Sequence, residues 1–336
     1  MTTGRSEPFR IGLVAASRIA AGAIVEPARS IDGVEVSAVA ARDLGRAEEA
    51  AERWGIPNAF GSYGEMLSSG SVDAVYVGTP AAFHRPCVLD ALDAGLHVLC
   101  EKPFAANAED ARTMAAAAAQ SDRVVMEAFH WRYHPLVTQM RAIIDRIGPP
   151  RRADAAFVIP DGRIPRTDIR WNLRLGGGST MDLGCYAIAL VRWAVGSEPS
   201  VTSAVAAANE DGIDLWLRAE LSWGGGASGS VYSSMVGADE PAGTYLVVTS
   251  SNGTMRVDNP VAPQHGSSIT VVTDDGAERF EVEASSTYHH QLVAFRAAVV
   301  DDQPIPTGPD DAVANMEVID ACYRAAGLDP RPTLAD

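Results

Sequence analysis

Lysine is nearly absent from this sequence of 336 residues: of its 27 basic residues, 26 are arginine and only Lys102 is lysine. The chain uses arginine wherever a positive charge is enough, which singles out position 102. A lysine differs from an arginine in its compact ammonium, its three rotatable donors and a pKa that the surroundings can move. We therefore predict a chemical role for Lys102, against the alternative of a surface lysine left there by chance.

Cysteine is also scarce, and metal-binding spacings are missing. The cysteines lie in apolar segments without a C-x-x-C pair, which favours buried free thiols over disulfides. They are Cys87, Cys100, Cys185 and Cys322. The run Tyr288-His289-His290 has no carboxylate or cysteine neighbour at metal-ligand spacing. We expect no bound metal.

Basic residues are fewer than acidic residues, 27 against 43, which gives a formal net charge of −16. Nucleic acids and anionic membranes attract positive fields, so neither is expected as a partner. No apolar run reaches the length of a membrane span, and Met1 to Arg10 contains neither a basic leader nor the apolar centre of a signal peptide. These features predict a cytoplasmic protein.

With 47% apolar and 21% charged residues, the chain can bury the cores of two domains. Its first part alternates short apolar runs with helical patterns, which is typical of βαβ units around a parallel sheet. The predicted strands are Arg10–Val14, Val34–Ala41, Ala74–Val77, His97–Cys100 and Val124–Ala128. The predicted helices are Ile19–Ser30, Leu44–Trp54, Arg85–Ala94 and one from an Asn107 cap to about Gln120.

The pattern changes after Gly148-Pro149-Pro150, where alternating segments indicate a largely antiparallel sheet. The predicted strands are Ala153–Ile159, Val201–Ala207, Asp214–Leu221, Ala227–Ser234, Thr244–Thr249 and Ser268–Val272. The predicted helices are Met181–Val195, Tyr288–Val300 and Asp310–Ala326. We predict an α/β plus α+β protein, with a Rossmann-type dinucleotide-binding domain over residues 1–130. An open, mostly antiparallel sheet domain follows over 131–336, and its last helices are expected to pack back on the first domain or on the sheet.

The turn after the first strand stands where a G-x-G-x-x-G/A fingerprint would lie, with Ala15, Ser17 and Ala20 at its three positions. Small residues there let backbone N–H groups approach a pyrophosphate, whereas a plain strand-to-helix turn is the alternative. At the end of the second strand, Arg42 matches a 2′-phosphate, while Asp43 keeps NAD(H) open. We predict NADP(H) in preference to NAD(H).

Several segments together resemble one enzyme superfamily. Cys100-Glu101-Lys102-Pro103 places an E-K-P sequence at the end of a predicted strand. The other segments are Val39 to Leu44, Ala74 to Pro80 ahead of His84, Met126 to Phe129 with Arg132 to Pro135, and Gly176 to Gly178 ahead of Met181 to Tyr186. The chain resembles the glucose–fructose oxidoreductase, inositol dehydrogenase and rhizopine-catabolism superfamily, and above all its dihydrodiol and xylose dehydrogenase branch, over nearly its entire length.

The resemblance implies an active site in the cleft between a Rossmann domain and an open sheet, NADP as cofactor, and a homodimer or higher homo-oligomer formed through the sheet. It also implies a lysine–tyrosine pair as the chemistry, which falls on Lys102 and Tyr186. The glycine-poor first turn departs from many members of the superfamily. His130 and Trp131 depart from them as well, which leaves the substrate open.

Hydride transfer to or from a carbinol carbon needs a group that exchanges the hydroxyl proton. A phenol is a poor base near neutral pH until a neighbouring cation stabilises its phenolate. We predict that Tyr186 exchanges this proton, and that Lys102 lowers the pKa of Tyr186 and holds a substrate hydroxyl or the cofactor ribose. Asp182, four residues earlier on the same predicted helix, would bind polyol hydroxyls. The alternatives are a core tyrosine and a carboxylate that only stabilises the helix N-terminus.

Further candidates follow the carboxyl ends of strands, where open α/β sheets bind ligands. Trp131 and Arg170 are expected beside Asp182 at the substrate, because flat apolar faces and donors suit a sugar. Core packing or surface exposure is the alternative for these two residues, as helix capping is for His84. The predicted cofactor-binding set is Ala15, Ser17, Arg18, Ile19, Arg42, Thr79, Pro80, His84, Glu101, Lys102, Ala128, Arg132 and Trp171.

These features predict an NADP(H)-dependent oxidoreductase that interconverts a hydroxyl and a carbonyl on a small-molecule sugar or cyclic diol. One alternative is a 3-ketoreductase acting on a free or nucleotide-linked keto sugar, because Ile159-Pro160 and Asp168-Ile169-Arg170-Trp171 resemble the segment before G-G-G in such reductases. Another class is a non-catalytic dinucleotide-binding regulator, or a glycosidase that uses NAD transiently. The presence of both Lys102 and Tyr186 argues against the regulator.

Overall fold

Two β-sheets form the framework of the computed structural model, which describes residues 8–237 and 241–334. The first sheet has six parallel strands in the order β3-β2-β1-β4-β5-β6. They are β1 (Phe9–Val14), β2 (Val34–Ala40), β3 (Asn58–Phe60), β4 (Ala74–Val77), β5 (His97–Cys100) and β6 (Val125–Glu127). This is the strand order of a doubly wound dinucleotide-binding sheet, whose ligand crevice lies at the carboxyl ends of β1 and β4. The predicted Rossmann-type sheet is confirmed.

The second sheet has eight strands in the order β14-β13-β12-β11-β7-β10-β9-β8. Its neighbours are antiparallel except β7 and β10, which pair in parallel. The strands are β7 (Pro150–Val158), β8 (Ser200–Ala208), β9 (Asp214–Ser222), β10 (Ser228–Ser234), β11 (Gly243–Ser250), β12 (Gly253–Asp258), β13 (Ser268–Thr273) and β14 (Gly276–Phe280). The predicted, mostly antiparallel sheet is confirmed.

Helices cover both faces of the first sheet and one face of the second. Those of the first half are α1 (Arg18–Ala20), α2 (Glu26–Ala28), α3 (Leu44–Trp54), α4 (Tyr63–Ser68), α5 (His84–Asp93) and α6 (Ala108–Ala119). Those of the second half are α7 (Pro135–Ile147), α8 (Cys185–Val195), α9 (Thr287–Val300) and α10 (Pro309–Ala325). The ring of Phe295 in α9 lies 5.8 Å from that of Phe9 in β1, so the chain returns to the first sheet after the second is complete.

The helix expected at Ile19–Ser30 is interrupted. A π-helical turn, Ala21–Val25, separates α1 from α2, and the N–H of Glu26 donates to the carbonyl of Ala21, five residues back. Pro27 follows directly; it has no N–H for a regular helical bond, and wider turns accommodate such a loss.

Several elements were not predicted from the sequence. They are β3, α4, α7, β12 and β14. The strands among them are edge or hairpin strands with few large apolar residues, and β14 is almost entirely exposed. Their existence depends on pairing with a neighbouring strand rather than on local preference, which is typical of short strands.

Candidate active site

A lysine and a carboxylate join the two halves of the molecule in the cleft between the sheets. Lys102 follows β5, and its ammonium donates to the carboxylate Oδ1 of Asp182 at 3.0 Å and to the carbonyl oxygen of the same residue at 2.9 Å. Asp182 lies in a second π-helical turn, Thr180–Gly184, which continues into α8. The predicted helix Met181–Val195 therefore begins with a π turn, in which the N–H of Cys185 donates to the carbonyl of Thr180. Such turns are frequent at functional sites.

Asp182 lies between two cations. Its Oδ2 accepts from Nε of Arg170 at 2.5 Å, while Arg170 also donates to Asp168 at 3.0 Å. Burial raises the pKa of Asp182, but the charges of Lys102 and Arg170 outweigh burial and bring it to about 2. Burial also lowers the pKa of Lys102, and the Asp182 carboxylate outweighs it, so that the ammonium keeps its proton. Asp182 is thus the anchor of Lys102, in addition to any contact with a substrate.

Replacing Asp182 with Asn should change how stability depends on pH. The folded-state pKa of about 2 lies below the ordinary 3.8, so the charged carboxylate contributes fully above about pH 4 and loses its contribution as the pH falls through about 2. We expect the difference in unfolding free energy between wild type and Asp182→Asn to shrink by about 2 kcal/mol from pH 5 to pH 2. Urea unfolding across this range measures it.

A matched control is Asp258→Asn, which removes a carboxylate from an exposed ion pair with Arg256. Exposed pairs contribute about 0–1 kcal/mol, so this control should follow the wild-type pH slope closely. Parallel pH slopes for wild type and Asp182→Asn would contradict the charged, buried anchor.

Tyr186, in the first turn of α8, completes the predicted pair. The ammonium of Lys102 lies 4.8 Å from the centre of its ring, and Phe129 and Phe157 pack around the ring at 5.4 and 5.9 Å. Burial, followed by the neighbouring Tyr288 and Glu101, raises the pKa of Tyr186 well above its ordinary value. The expected lowering of this pKa by Lys102 is therefore wrong for this structure. The physical reason is burial, which destabilises the phenolate, while the ammonium of Lys102 faces the ring and pairs with Asp182.

One residue at this site was missing from the predicted set. Nε2 of His130 lies 3.2 Å from the phenol oxygen of Tyr186, and Nδ1 lies 2.8 Å from the hydroxyl of Thr287. The sequence indicated only that position 130 departs from the superfamily pattern. Its proximity to Tyr186 arises from the short helical turn His130–Tyr133 after β6, which no local pattern predicts.

The first turn has the backbone that a dinucleotide fingerprint requires. Ala15 adopts a left-handed conformation with φ of 81°, which explains why glycine is usual at this position. The hydroxyl of Ser17 is buried without a hydrogen-bond partner, and a side chain at Gly78 would collide with it. An unsatisfied buried hydroxyl and a backbone kept bare on the neighbouring strand end fit a polar ligand seated across β1 and β4.

The two candidate cofactor residues at the end of β2 differ in their contacts. Asp43 caps α3, because its carboxylate accepts from the N–H of Arg46 at 3.0 Å. Arg42 is exposed beside it. Ile19 is also exposed. The guanidinium of Arg18 lies 3.6 Å from the carboxylate of Asp168, so the loop that contains Asp168 lies near the turn after β1.

Other predicted cofactor-binding residues lie near the carboxyl ends of β4 and β5, and some of them contact other parts of the protein. The ring of His84 is buried, with Nε2 2.8 Å from the carbonyl of Thr79 and Nδ1 3.1 Å from that of Pro103, so it fastens the loops after β4 and β5 to each other. Pro80 precedes the short helical turn Ala81–Phe83. Glu101 accepts from the hydroxyl of Tyr76 at 2.6 Å. The contact of these residues with a cofactor stays a prediction.

Four predicted residues lie after or beyond β6. Trp131 is fully buried and packs edge-on against Trp193 at 6.0 Å, which does not support its predicted stacking on a sugar. Arg132 lines a cavity of about 290 Å³ with Arg141, Arg192 and Asp311 among its other walls. Ala128 is buried, with its N–H on the carbonyl of Cys100. Trp171 has an indole nitrogen that is buried without a partner.

Residues far away in the sequence contact the glycine run Gly176–Gly178, which precedes Asp182. A side chain at Gly177 would collide with the carbonyl of Arg170, and one at Gly178 with the carboxylate of Asp214. Arg331, near the end of the described chain, donates to the carbonyl of Gly177 at 2.6 Å and pairs with Asp214. Close packing of backbone therefore requires glycine here and fixes the loop that leads to the active site.

The described residues contain neither a candidate metal cluster nor a helix that could span a membrane. Within residues 8–237 and 241–334, no three histidine, cysteine or acidic side chains are placed to hold a metal ion. Among the helices described, none is both long and apolar enough to cross a membrane. All four cysteines are buried and free, as predicted.

The doubly wound sheet, the open second sheet and the lysine–tyrosine cleft between them define a class of Rossmann-fold oxidoreductase. Residues 9–129 match the model of the "oxidoreductase family, NAD-binding Rossmann fold", and residues 137–256 match the "GFO/IDH/MocA C-terminal domain". The chain belongs to the GFO/IDH/MocA oxidoreductase family, as the sequence segments predicted.

Its relatives act on sugars and diols. It is 33% identical over 308 residues to "D-xylose 1-dehydrogenase (NADP(+)) 2" of Haloferax volcanii, which covers 90% of this chain and 93% of the relative. It is 37% identical over 233 residues to "trans-1,2-dihydrobenzene-1,2-diol dehydrogenase" of Mus musculus, covering 68% of each chain. Among solved structures, a 3-ketoreductase from Actinomadura kijaniata in complex with NADP and TDP-benzene superposes with a TM-score of 0.87 at 26% identity, covering 95% of this chain and 98% of that one.

Proposed function

We propose that this protein is an NADP(H)-dependent oxidoreductase that interconverts a hydroxyl and a carbonyl on a sugar or cyclic diol, with Lys102 and Tyr186 as the proton-transfer pair. The observation that carries the proposal is the single lysine of the chain, fixed by Asp182 with its ammonium 4.8 Å from the centre of the Tyr186 ring. A surface lysine would have neither a buried carboxylate nor a buried phenol beside it.

The residues of the cleft divide the work as follows. A bound nicotinamide supplies the hydride chemistry. Burial raises the pKa of Tyr186, so its hydroxyl carries the proton that a substrate carbonyl oxygen takes up in reduction. In oxidation, only the phenolate form of Tyr186 can take the carbinol proton. Lys102 remains charged and stabilises negative charge that develops on the substrate oxygen or on the phenol.

NADP(H) is the cofactor that the end of β2 favours. The carboxylate of Asp43 already serves the N-terminus of α3, which weakens it as a partner for ribose hydroxyls. The exposed guanidinium of Arg42 is free to meet a 2′-phosphate. The NADP named for the xylose dehydrogenase and the 3-ketoreductase supports the same assignment.

Replacing Arg42 with Ala should therefore weaken the binding of NADPH more than the binding of NADH. Hydrogen bonds to a charged group contribute about 1.5–3 kcal/mol, so we expect the Kd for NADPH to rise about 10- to 100-fold while that for NADH changes little. Nucleotide fluorescence titration measures both constants. Arg53→Ala, an exposed arginine at the other end of α3, is the matched control. An equal loss of NADPH and NADH affinity in Arg42→Ala would exclude recognition of the 2′-phosphate.

The substrate class is tested by a steady-state screen of the purified protein with NADP and with NAD. Aldoses, inositols and trans-dihydrodiols are offered for oxidation, and free or nucleotide-linked keto sugars for reduction. Turnover of an aldose or a diol with NADP supports the proposal. Binding of dinucleotide without turnover of any of these classes would contradict it and favour a non-catalytic regulator or a transient use of NAD in glycoside cleavage.

A 3-ketoreductase is the second candidate. It is favoured by the protonated state of Tyr186, which suits donation to a carbonyl, and by the TM-score of 0.87 to the 3-ketoreductase. Structures of that enzyme also include variants of one lysine and one tyrosine, the two residue types that pair here. Inert keto sugars beside active aldoses or diols in the same screen would exclude this candidate.

We also propose that the protein forms a homodimer through the second sheet. Ala156, Val158 and Tyr232 form a small apolar cluster on this sheet, separate from the main core, with Trp216 and Tyr245 packed against it. Light scattering coupled to gel filtration measures the mass directly, and a mass of 35.4 kDa across the micromolar range would contradict the dimer.

A further inference from the structure

The hydroxyl of Tyr186 has one hydrogen-bond partner among the described residues, and that partner is a histidine from the other side of the site. Nε2 of His130 lies 3.2 Å from the phenol oxygen. Carbon atoms of Phe129 and Phe157 surround the rest of the ring, and the rings of His130 and Tyr288 pack at 4.3 Å. The phenol therefore depends on His130 for its orientation.

Hydrogen bonds connect Tyr186 through His130 and Thr287 to Gln264, and their protons can be assigned starting from Gln264. Thr287 is fully buried, and its hydroxyl donates to Oε1 of Gln264 at 3.4 Å. The oxygen of Thr287 is then free to accept the N–H of His130 Nδ1 at 2.8 Å. Since a neutral imidazole carries one N–H, Nε2 retains a lone pair and accepts the O–H of Tyr186.

Burial and the charge of Lys102 keep His130 neutral. Burial, followed by the ammonium of Lys102, lowers the pKa of His130 to about 3. The other titratable groups that act on Tyr186 are Tyr288, Glu101, Cys185 and Asp182, and the ring of Tyr288 also packs on the imidazole. An imidazole with so low a pKa does not keep a proton from a phenol, so its role is to hold the hydroxyl rather than to ionise it.

We infer that His130 is a positioning residue for Tyr186: in the absence of substrate it accepts the phenol O–H through Nε2, in a tautomer fixed by Thr287, and so holds the phenol oxygen in place until the O–H turns to a substrate oxygen. This inference rests on the proposed function for its catalytic meaning. The hydrogen bond itself does not, and it is measurable without a substrate.

The first experiment observes the tautomer. In protein labelled with ¹⁵N-histidine, the signals of His130 are assigned as those absent from His130→Phe. We expect Nδ1 to be protonated, Nε2 to be an acceptor, and neither to titrate between pH 5 and 9. Tyr186→Phe should move the Nε2 signal toward that of an acceptor without a donor. A protonated Nε2, or titration near the ordinary histidine pKa of 6.5, would overturn the assignment.

The second experiment separates positioning from packing. His130→Phe keeps a ring against Tyr288 and removes the acceptor, so kcat should fall about 10- to 100-fold, while KM and the Kd for NADPH stay within about twofold. His130→Gln returns an acceptor oxygen and should restore part of kcat. Thr287→Val, which releases the tautomer, should lower kcat about 3- to 10-fold.

His134→Asn is the control, because His134 caps α7 through a ring nitrogen that an asparagine side chain can replace. It should match wild type in kcat. Equal kcat in His130→Phe and wild type would overturn the inference. A lower melting temperature in His130→Phe, with no recovery of kcat in His130→Gln, would also overturn it, because it would indicate a packing role. If wild type turns over no substrate, the proposed function fails, whereas the nitrogen signals still decide whether the bond to Tyr186 exists.

Discussion

Lys102→Arg should fold and bind NADP(H) but lose about 10²- to 10³-fold in kcat. The ammonium of Lys102 reaches two oxygens of Asp182 and the face of Tyr186 at once, from a side chain that is 14% exposed. A guanidinium is larger and planar, so it cannot make these contacts from the same backbone position. Removing one preorganised donor that stabilises developing charge typically costs about 10²–10³ in kcat. Steady-state kinetics, with NADPH titration as a binding check, measure the effect.

The control for this variant is the reverse substitution at the surface. Arg146→Lys changes an exposed ion pair with Glu278 and gives the chain a second lysine. It should leave kcat and KM unchanged. Near-normal turnover in Lys102→Arg would remove the reason for a lone lysine in a chain that otherwise uses arginine, and with it the role assigned to this residue.

Tyr186→Phe should have the second large effect, a loss of about 10²–10⁴-fold in kcat, which is the range that general acid–base catalysis contributes. The ring would keep its contacts with Phe129 and Phe157, and only the hydroxyl and its bond to His130 would be lost. Thermal unfolding should therefore stay within a few degrees of wild type. Single-turnover kinetics with bound NADPH separate the chemical step from product release.

Tyr232→Phe removes a phenol hydroxyl from the second sheet, where the ring stacks under Arg218, and serves as the matched control. If Tyr186→Phe retains wild-type kcat, proton transfer must occur elsewhere, and the ammonium of Lys102 becomes the alternative donor.

The strands and helices of the first half were predictable because they are buried runs of a parallel sheet separated by capped helices. Asn107 caps α6, and Asp43 caps α3, as local side chains dictate. The hairpin that forms β12 was missed although Ser251 and Asn252 form its two-residue turn. Its strand is short and includes polar residues, so its pairing with β11 and β13 decides its conformation.

The functional pair was predictable from one compositional anomaly and from ordered sequence segments, but its electrostatics was not. The pKa of Tyr186 depends on burial and on Tyr288, about a hundred residues further along the chain. Likewise, His130 reaches Thr287 across a sequence separation of 157 residues. Contacts of this kind arise from the packing of the two sheets, and no local pattern of residues carries them.

Arg331 gives this architecture a consequence for its biosynthesis. The residue holds Gly177 and Asp214, and its own carbonyl accepts from Asn107 at a separation of 224 residues. A growing chain can therefore form the Rossmann sheet early, but the loop before Asp182 lacks its fastening until residue 331 has left the ribosome. Until then the carboxylate of Asp214 lacks the guanidinium of Arg331, and burial of an unpaired carboxylate costs free energy. Contacts between residues so far apart in sequence form slowly, so we expect this loop to become ordered after the Rossmann sheet.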